Sequence, residues 1–257
     1  MTTDFTSKQL VYTIAGTAAV TVERDHTYTT EQGPLGFELY RPLRSAAVPS
    51  PAVVLVSGLP DPGVAAMFGR QFKDWASTIE WARMIAASGI AAVTYANRTP
   101  ADAVVLVQHL RANAGALGLD PARIGIWATS GNAPMALGVI ARERPACAAL
   151  LYGFTLDLDG ATTVADAAKK YYFAVPPVSL DDLPRDMPLL LVRAGRDEFV
   201  GINTTMQRFV EAARARHMAV TLIEHAEAPH AFDLADDSPR TREVIDEILA
   251  FLRRSLA

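Results

Sequence analysis

Three side chains suited to acyl transfer, Ser130, Asp197 and His230, each follow an apolar run of this chain. A serine hydroxyl is a weak nucleophile at neutral pH. It attacks a carbonyl only with a base in hydrogen-bond reach and a third group that fixes the base's tautomer. Ser130 interrupts the segment Ile124-Gly125-Ile126-Trp127-Ala128-Thr129-Ser130-Gly131-Asn132-Ala133-Pro134-Met135-Ala136-Leu137, which reads as a buried strand turning into a helix with the serine at the corner. Such a corner strains the backbone and needs small neighbours so that strand and helix can pass closely. Ala128 and Gly131 meet that need, and Asn132 meets it less well. Pro134 falls in the first helical turn, where its missing N–H breaks no ladder bond.

Five histidines compete for the role of base. His26 lies in an edge strand, His109 within a helix and His217 near a helix end, where a solvated or dipole-paired imidazole is the plain reading. His225 and His230 both lie close to the last strand. For the third group, Asp197 and Glu198 share the loop after the strand Pro188–Gly195. A surface carboxylate paired with Arg196 is the plain alternative for Asp197.

The elements that must position these groups can be read from apolar patterning. Alternation from Ala19 to Thr30 predicts an edge strand, Gly33-Pro34-Leu35-Gly36 a turn, and Phe37–Pro42 its antiparallel hairpin partner. Ala52–Val56 predicts a central strand, followed by Ser57–Gly63, a loop too rich in Gly and Pro to be regular. A helix over Phe72–Ala87, a strand over Ile90–Tyr95 and a helix opening at Pro100 come next. Asp120-Pro121 predicts a turn into the strand before Ser130. Beyond the serine, strands are predicted at Cys147–Tyr152, Pro188–Gly195 and Val220–Ile223. Helices are predicted at about Asn203–Arg216 and at Ser238–Leu252. The stretch from Phe154 to Met187 keeps no sustained period, and its aromatic residues predict a lid or pocket wall, placed at 155–187. Alternating strands and helices imply a mostly parallel, twisted sheet with helices on both faces, whose ligands sit beyond the carboxyl ends of the strands. The loops 57–63, 130–132, 197–198 and the one carrying His230 then converge.

These features together resemble the α/β-hydrolase superfamily. The segment around Ser130 is similar to its nucleophile elbow, Gly-x-Ser-x-Gly, with Ala128 and Asn132 in the glycine positions. The order Ser130, Asp197, His230 is similar to the superfamily's order of serine, acid and histidine. Ala194-Gly195-Arg196-Asp197 is similar to the Gly-x-x-Asp pattern that carries the acid, with the glycine one place closer. Ala228-Pro229-His230-Ala231-Phe232 resembles the His-Gly-Phe segment of dienelactone-hydrolase-like proteins and favours His230 over His225. The resemblance implies one α/β domain over 1–257 with a sheet of about eight strands. It also implies an oxyanion hole formed by the Gly131 N–H and by the Leu59 N–H, with Gly58 as the fallback, because Ser57-Gly58-Leu59 replaces the family's His-Gly-x. Cleavage of a carboxylic ester through an acyl-enzyme is the implied reaction, with activity falling below roughly pH 6 to 7 as the imidazole protonates. A lactone hydrolase or small peptidase uses the same groups, and a non-catalytic ligand-binding protein of this fold is the reading from another class.

Composition narrows the field. The 257 residues are 50% hydrophobic and 20% charged, enough for a large core. A net charge of −4 with no Lys/Arg cluster argues against nucleic acid or an anionic membrane as partner. Cys147 is the single cysteine, so an internal disulfide is excluded, and a packed thiol is the expected role. Neither a dinucleotide or phosphate loop nor a metal-ligand spacing occurs, so no cofactor or metal is expected. The run Leu10–Val20 suits a strand as well as a signal peptide, and a soluble cytoplasmic protein is the expectation.

Overall fold

The computed structural model describes residues 5–43 and 49–257. Eight strands form one sheet: β1 (Val22–Thr30), β2 (Gly33–Tyr40), β3 (Ser50–Leu55), β4 (Ala91–Tyr95), β5 (Leu119–Thr129), β6 (Cys147–Leu151), β7 (Leu189–Ala194) and β8 (Val220–His225). Their order is β1-β2-β4-β3-β5-β6-β7-β8. The hairpin β1-β2 joins β4 antiparallel, and every later pairing is parallel. Parallel strands need crossovers, which are supplied by α1 (Asp61–Phe68), α2 (Ala76–Ala87), α3 (Asp102–Ala112), α4 (Ala114–Leu117), α5 (Ala133–Glu143), α6 (Thr163–Tyr171) and α7 (Ile202–Ala215). After β8 come the short α8 (Phe232–Ala235) and the closing α9 (Pro239–Ser255), whose Ser238 side chain caps it by accepting from the Thr241 N–H.

Neighbouring residues of one strand point to opposite faces of the sheet, and both faces here are covered. Val54, Ile126, Leu150 and Leu191 pack toward α3, α5 and α7. Val53, Trp127, Ala149 and Leu190 pack toward α2 and α9. Cys147 is buried and unpaired at the start of β6, where desolvation pushes its thiol up to about 12.

Several elements differ from the sequence reading. Gly33–Gly36 is not a turn but the start of β2, and the chain reverses at residues 31–32. The Gly/Pro-rich loop gives way at Asp61 to α1, because Pro62 in the first turn forfeits only an N–H that has no partner there. Asp120-Pro121 lies inside β5, and a 3₁₀ turn at Phe72–Asp74 precedes α2. No strand forms between Leu10 and Val20. Both ends of that run are buried, with the Leu10 N–H donating to Glu80 Oε2 at 2.5 Å and the Val11 N–H to the Asp233 carbonyl at 2.9 Å. The stretch without a period contains α6, whose first turn donates to Asp157 from the Val164 and Ala165 N–H groups at 2.8 and 2.9 Å.

Candidate active site

Four loops at the carboxyl ends of β3, β5, β7 and β8 form the site. Strand β5 ends at Thr129, and Ser130 adopts φ 51°, a left-handed conformation unusual for a residue with a side chain. A single 3₁₀ turn over Ser130–Asn132 leads straight into α5. Asp197 follows β7. The turn before it holds Gly195 so close to the chain beyond β8 that an added Cβ would lie 2.1 Å from the Ala226 carbonyl oxygen, which explains the glycine there. His230 follows β8, and Ala231 beside it takes φ 51°.

These side chains meet. Ser130 Oγ is 2.9 Å from His230 Nε2, and His230 Nδ1 is 2.7 Å from Asp197 Oδ2. A carboxylate only accepts, so Nδ1 carries the proton and Nε2 is left to accept from the serine hydroxyl. Asp197 Oδ1 accepts from the Phe199 N–H at 2.9 Å, and its side chain is fully buried. Arg196 pairs with Glu227 instead of Asp197. Glu198 accepts from the backbone N–H of His230 at 3.3 Å, apart from the imidazole. The other histidines lie elsewhere: His225 is buried between Thr241 Oγ1 (2.9 Å) and Asp236 Oδ2 (3.1 Å), His109 packs edge-on to Phe37, and His26 stacks on Phe37.

Of the two N–H groups weighed in the loop after β3, that of Gly58 donates to Asn132 Oδ1 at 2.7 Å, so the fallback donor is occupied. The Leu59 N–H makes only a long 3.3 Å contact with Ser57 Oγ. Gly131, Leu59 and Ser130 all line one cavity of about 540 Å³. Its walls are rich in aromatic residues. Trp75, Trp81, Tyr171 and Phe173 face it, while Tyr172 is 71% exposed. Phe154 stacks on Phe173, and Phe199 covers the His230 ring with centroids 4.4 Å apart.

Behind the imidazole is a group that the sequence reading missed. Asp233 is buried, accepting from Trp81 Nε1 at 2.7 Å and from the Tyr152 hydroxyl at 2.8 Å, and the Tyr152 ring meets His230 edge-on at 5.0 Å. Its spacing three residues after His230 is the only sequence signal, and no pattern links it to Trp81 or Tyr152. Desolvation raises the Asp233 carboxyl above its ordinary range, although both hydrogen bonds oppose that. A raised value means that the fold holds the proton to higher pH than the unfolded chain does. The associated stability is complete at low pH and is lost as pH rises through the raised value. Asp233→Asn should therefore gain in melting temperature relative to the wild type as pH increases upward from the ordinary carboxylate range, read by thermal denaturation at each pH. A constant difference would contradict the assignment.

The chain matches no protein-family model and no curated protein. Solved structures do match. A bacterial heroin esterase superposes with a TM-score of 0.73 at 15% identity, over 96% of this chain and 87% of that one. The carboxylesterase EstE1, cloned from a metagenomic library, gives 0.69 at 17%, over 92% and 90%. The chain has the α/β-hydrolase fold. A hyperthermophilic esterase from the archaeon Pyrobaculum calidifontis shares that α/β-hydrolase fold at a TM-score of 0.66 and 18% identity, over 92% and 87%. Within the α/β-hydrolase sheet of this chain, Ser130, Asp197 and His230 follow strands β5, β7 and β8. Among the described residues no helix is long and apolar enough to cross a membrane, and no group of three or more His, Cys, Asp or Glu could hold a metal ion.

Proposed function

We propose that the protein is a serine hydrolase that cleaves small carboxylic esters through an acyl-enzyme. The observation that carries this reading is the unbroken hydrogen-bonded line Ser130–His230–Asp197 at a cavity wall. His230 Nε2 takes the hydroxyl proton as Ser130 Oγ attacks the ester carbonyl, and Asp197 holds the resulting imidazolium in place. The oxyanion is received by the Gly131 and Leu59 N–H groups. His230 then returns the proton to the departing alcohol. A water deprotonated by the same imidazole attacks the acyl-enzyme and releases the acid. On the acid side activity falls, because a protonated imidazole cannot accept the serine proton.

The aromatic walls favour an apolar acyl or alcohol portion, and the segment 155–187, which contributes Tyr171 and Phe173 to the cavity, acts as its wall. The heroin esterase and carboxylesterase neighbours are in keeping with ester substrates. The resemblance of 228–232 to dienelactone-hydrolase-like proteins makes a lactone the next substrate to assay, since ring opening uses the same acyl-enzyme. Rapid mixing with a p-nitrophenyl ester should release a burst of nitrophenolate stoichiometric with enzyme before the steady state, provided that deacylation is the slower step with that ester. Absence of ester and lactone turnover, together with saturable ligand binding in the cavity, would favour the non-catalytic reading.

A further inference from the structure

Asn132 departs from the glycine that the elbow pattern holds two places after its nucleophile, and its side chain is not idle. The residue is 4% exposed, lines the cavity and accepts the Gly58 N–H through Oδ1 across 74 positions of sequence. That bond joins the elbow to the loop after β3. The two segments are already in van der Waals contact: a Cβ built on Gly58 would lie 2.6 Å from the Gly131 carbonyl oxygen and 2.9 Å from Asn132 Cα. From the other side the loop is held by the Ala174 N–H, which donates to the Gly58 carbonyl at 2.8 Å, and by Asn97 Nδ2, which donates to the Leu59 carbonyl at 3.1 Å. With both carbonyls held and the Gly58 N–H committed, the Leu59 N–H is the group of this loop left with only a long contact.

We propose that Asn132 is the positioning residue of the oxyanion hole: its carboxamide oxygen fixes the Gly58–Leu59 peptide so that the Leu59 N–H faces the reacting carbonyl beside the Gly131 N–H. The side chain thus does by a hydrogen bond what small residues at an elbow leave to packing. Held donors stabilise a charge that exists only in the transition state, so the effect falls on kcat with little change in KM. The accepting role of Oδ1 also sets the amide's orientation. Its NH₂ group has no hydrogen-bond partner among the described residues and is available to a substrate oxygen.

This inference rests on the hydrolase reading and is tested apart from it. Asn132→Gly restores the superfamily pattern and cannot crowd the elbow, so an asparagine that merely impeded the site would leave this variant as active as the wild type or more so. The proposal predicts the reverse, with kcat for a p-nitrophenyl ester lowered about 10- to 100-fold and KM changed by less than about 3-fold. Affinity for a trifluoromethyl ketone, whose bound adduct carries the oxyanion, should fall in parallel. Asn132→Ala gives the same outcome with a less flexible backbone. In a Ser130→Ala background, where no turnover is needed, amide hydrogen exchange at Gly58 should accelerate at least about 10-fold on loss of Oδ1. Unchanged kcat, ketone affinity and Gly58 exchange in the two variants would overturn the proposal while leaving the hydrolase reading intact. A wild-type protein inert to esters and to phosphonates would overturn both.

Discussion

Ser130→Ala should slow ester cleavage by about 10⁴- to 10⁶-fold, with KM and melting temperature close to wild type. Removing the nucleophile of a hydrogen-bonded set leaves only what the remaining donors and the cavity can do for attack by water, which is the origin of the residual rate. The substitution touches little else. Ser130 Oγ is hydrogen-bonded to His230, and the φ of 51° at this corner is no harder for alanine than for serine. A kinetic assay against p-nitrophenyl acetate and butyrate measures the loss. A variant retaining even a tenth of the wild-type rate would assign the attack to another group.

Asp197→Asn should cost nearly as much, about 10⁴-fold in kcat, while the fold persists. The side chain is fully buried and its two oxygens are both engaged, Oδ2 with His230 Nδ1 at 2.7 Å and Oδ1 with the Phe199 N–H at 2.9 Å. Asparagine can keep the Phe199 bond with its oxygen and turn its NH₂ toward the ring. It then donates where aspartate accepted, so Nδ1 must become the acceptor and the proton moves to Nε2. An imidazole protonated at Nε2 cannot take the proton of Ser130. It also has no carboxylate to balance the charge that forms during attack. Because the defect lies in the tautomer, kcat should recover partly at alkaline pH, whereas Ser130→Ala stays flat. Equal pH profiles for the two variants would contradict this role for Asp197.

The parallel half of the sheet was legible because strands covered on both faces are uninterrupted apolar runs, as in Ala52–Val56 and Cys147–Tyr152, and the helices between them carry the helical period. What escaped the sequence has physical reasons. α1 hides behind Pro60-Asp61-Pro62-Gly63, residues that usually punctuate loops but here form the first helical turn. α6 buries only Val164 and Ala167, too few to set a period, and gains its start from Asp157, six residues upstream. Ser130, Asp197 and His230 follow strand ends, and the structure brings the serine hydroxyl and the aspartate carboxylate each within 3 Å of the His230 ring. The Trp81–Asp233–Tyr152 group could not be foreseen, since its members lie 152 and 81 positions apart and meet only once α2, β6 and α8 are packed. Asn132 was visible as an exception to a pattern. Its bond to Gly58 required the register of two loops.

One measurement bears on the whole account more directly than any rate. Treating the protein with a fluorophosphonate and mapping the adduct by peptide mass spectrometry should place a single phosphonyl group on Ser130, and His230→Ala should abolish that labelling. An adduct on any other residue, or labelling of Ser130 that proceeds undiminished without His230, would contradict it.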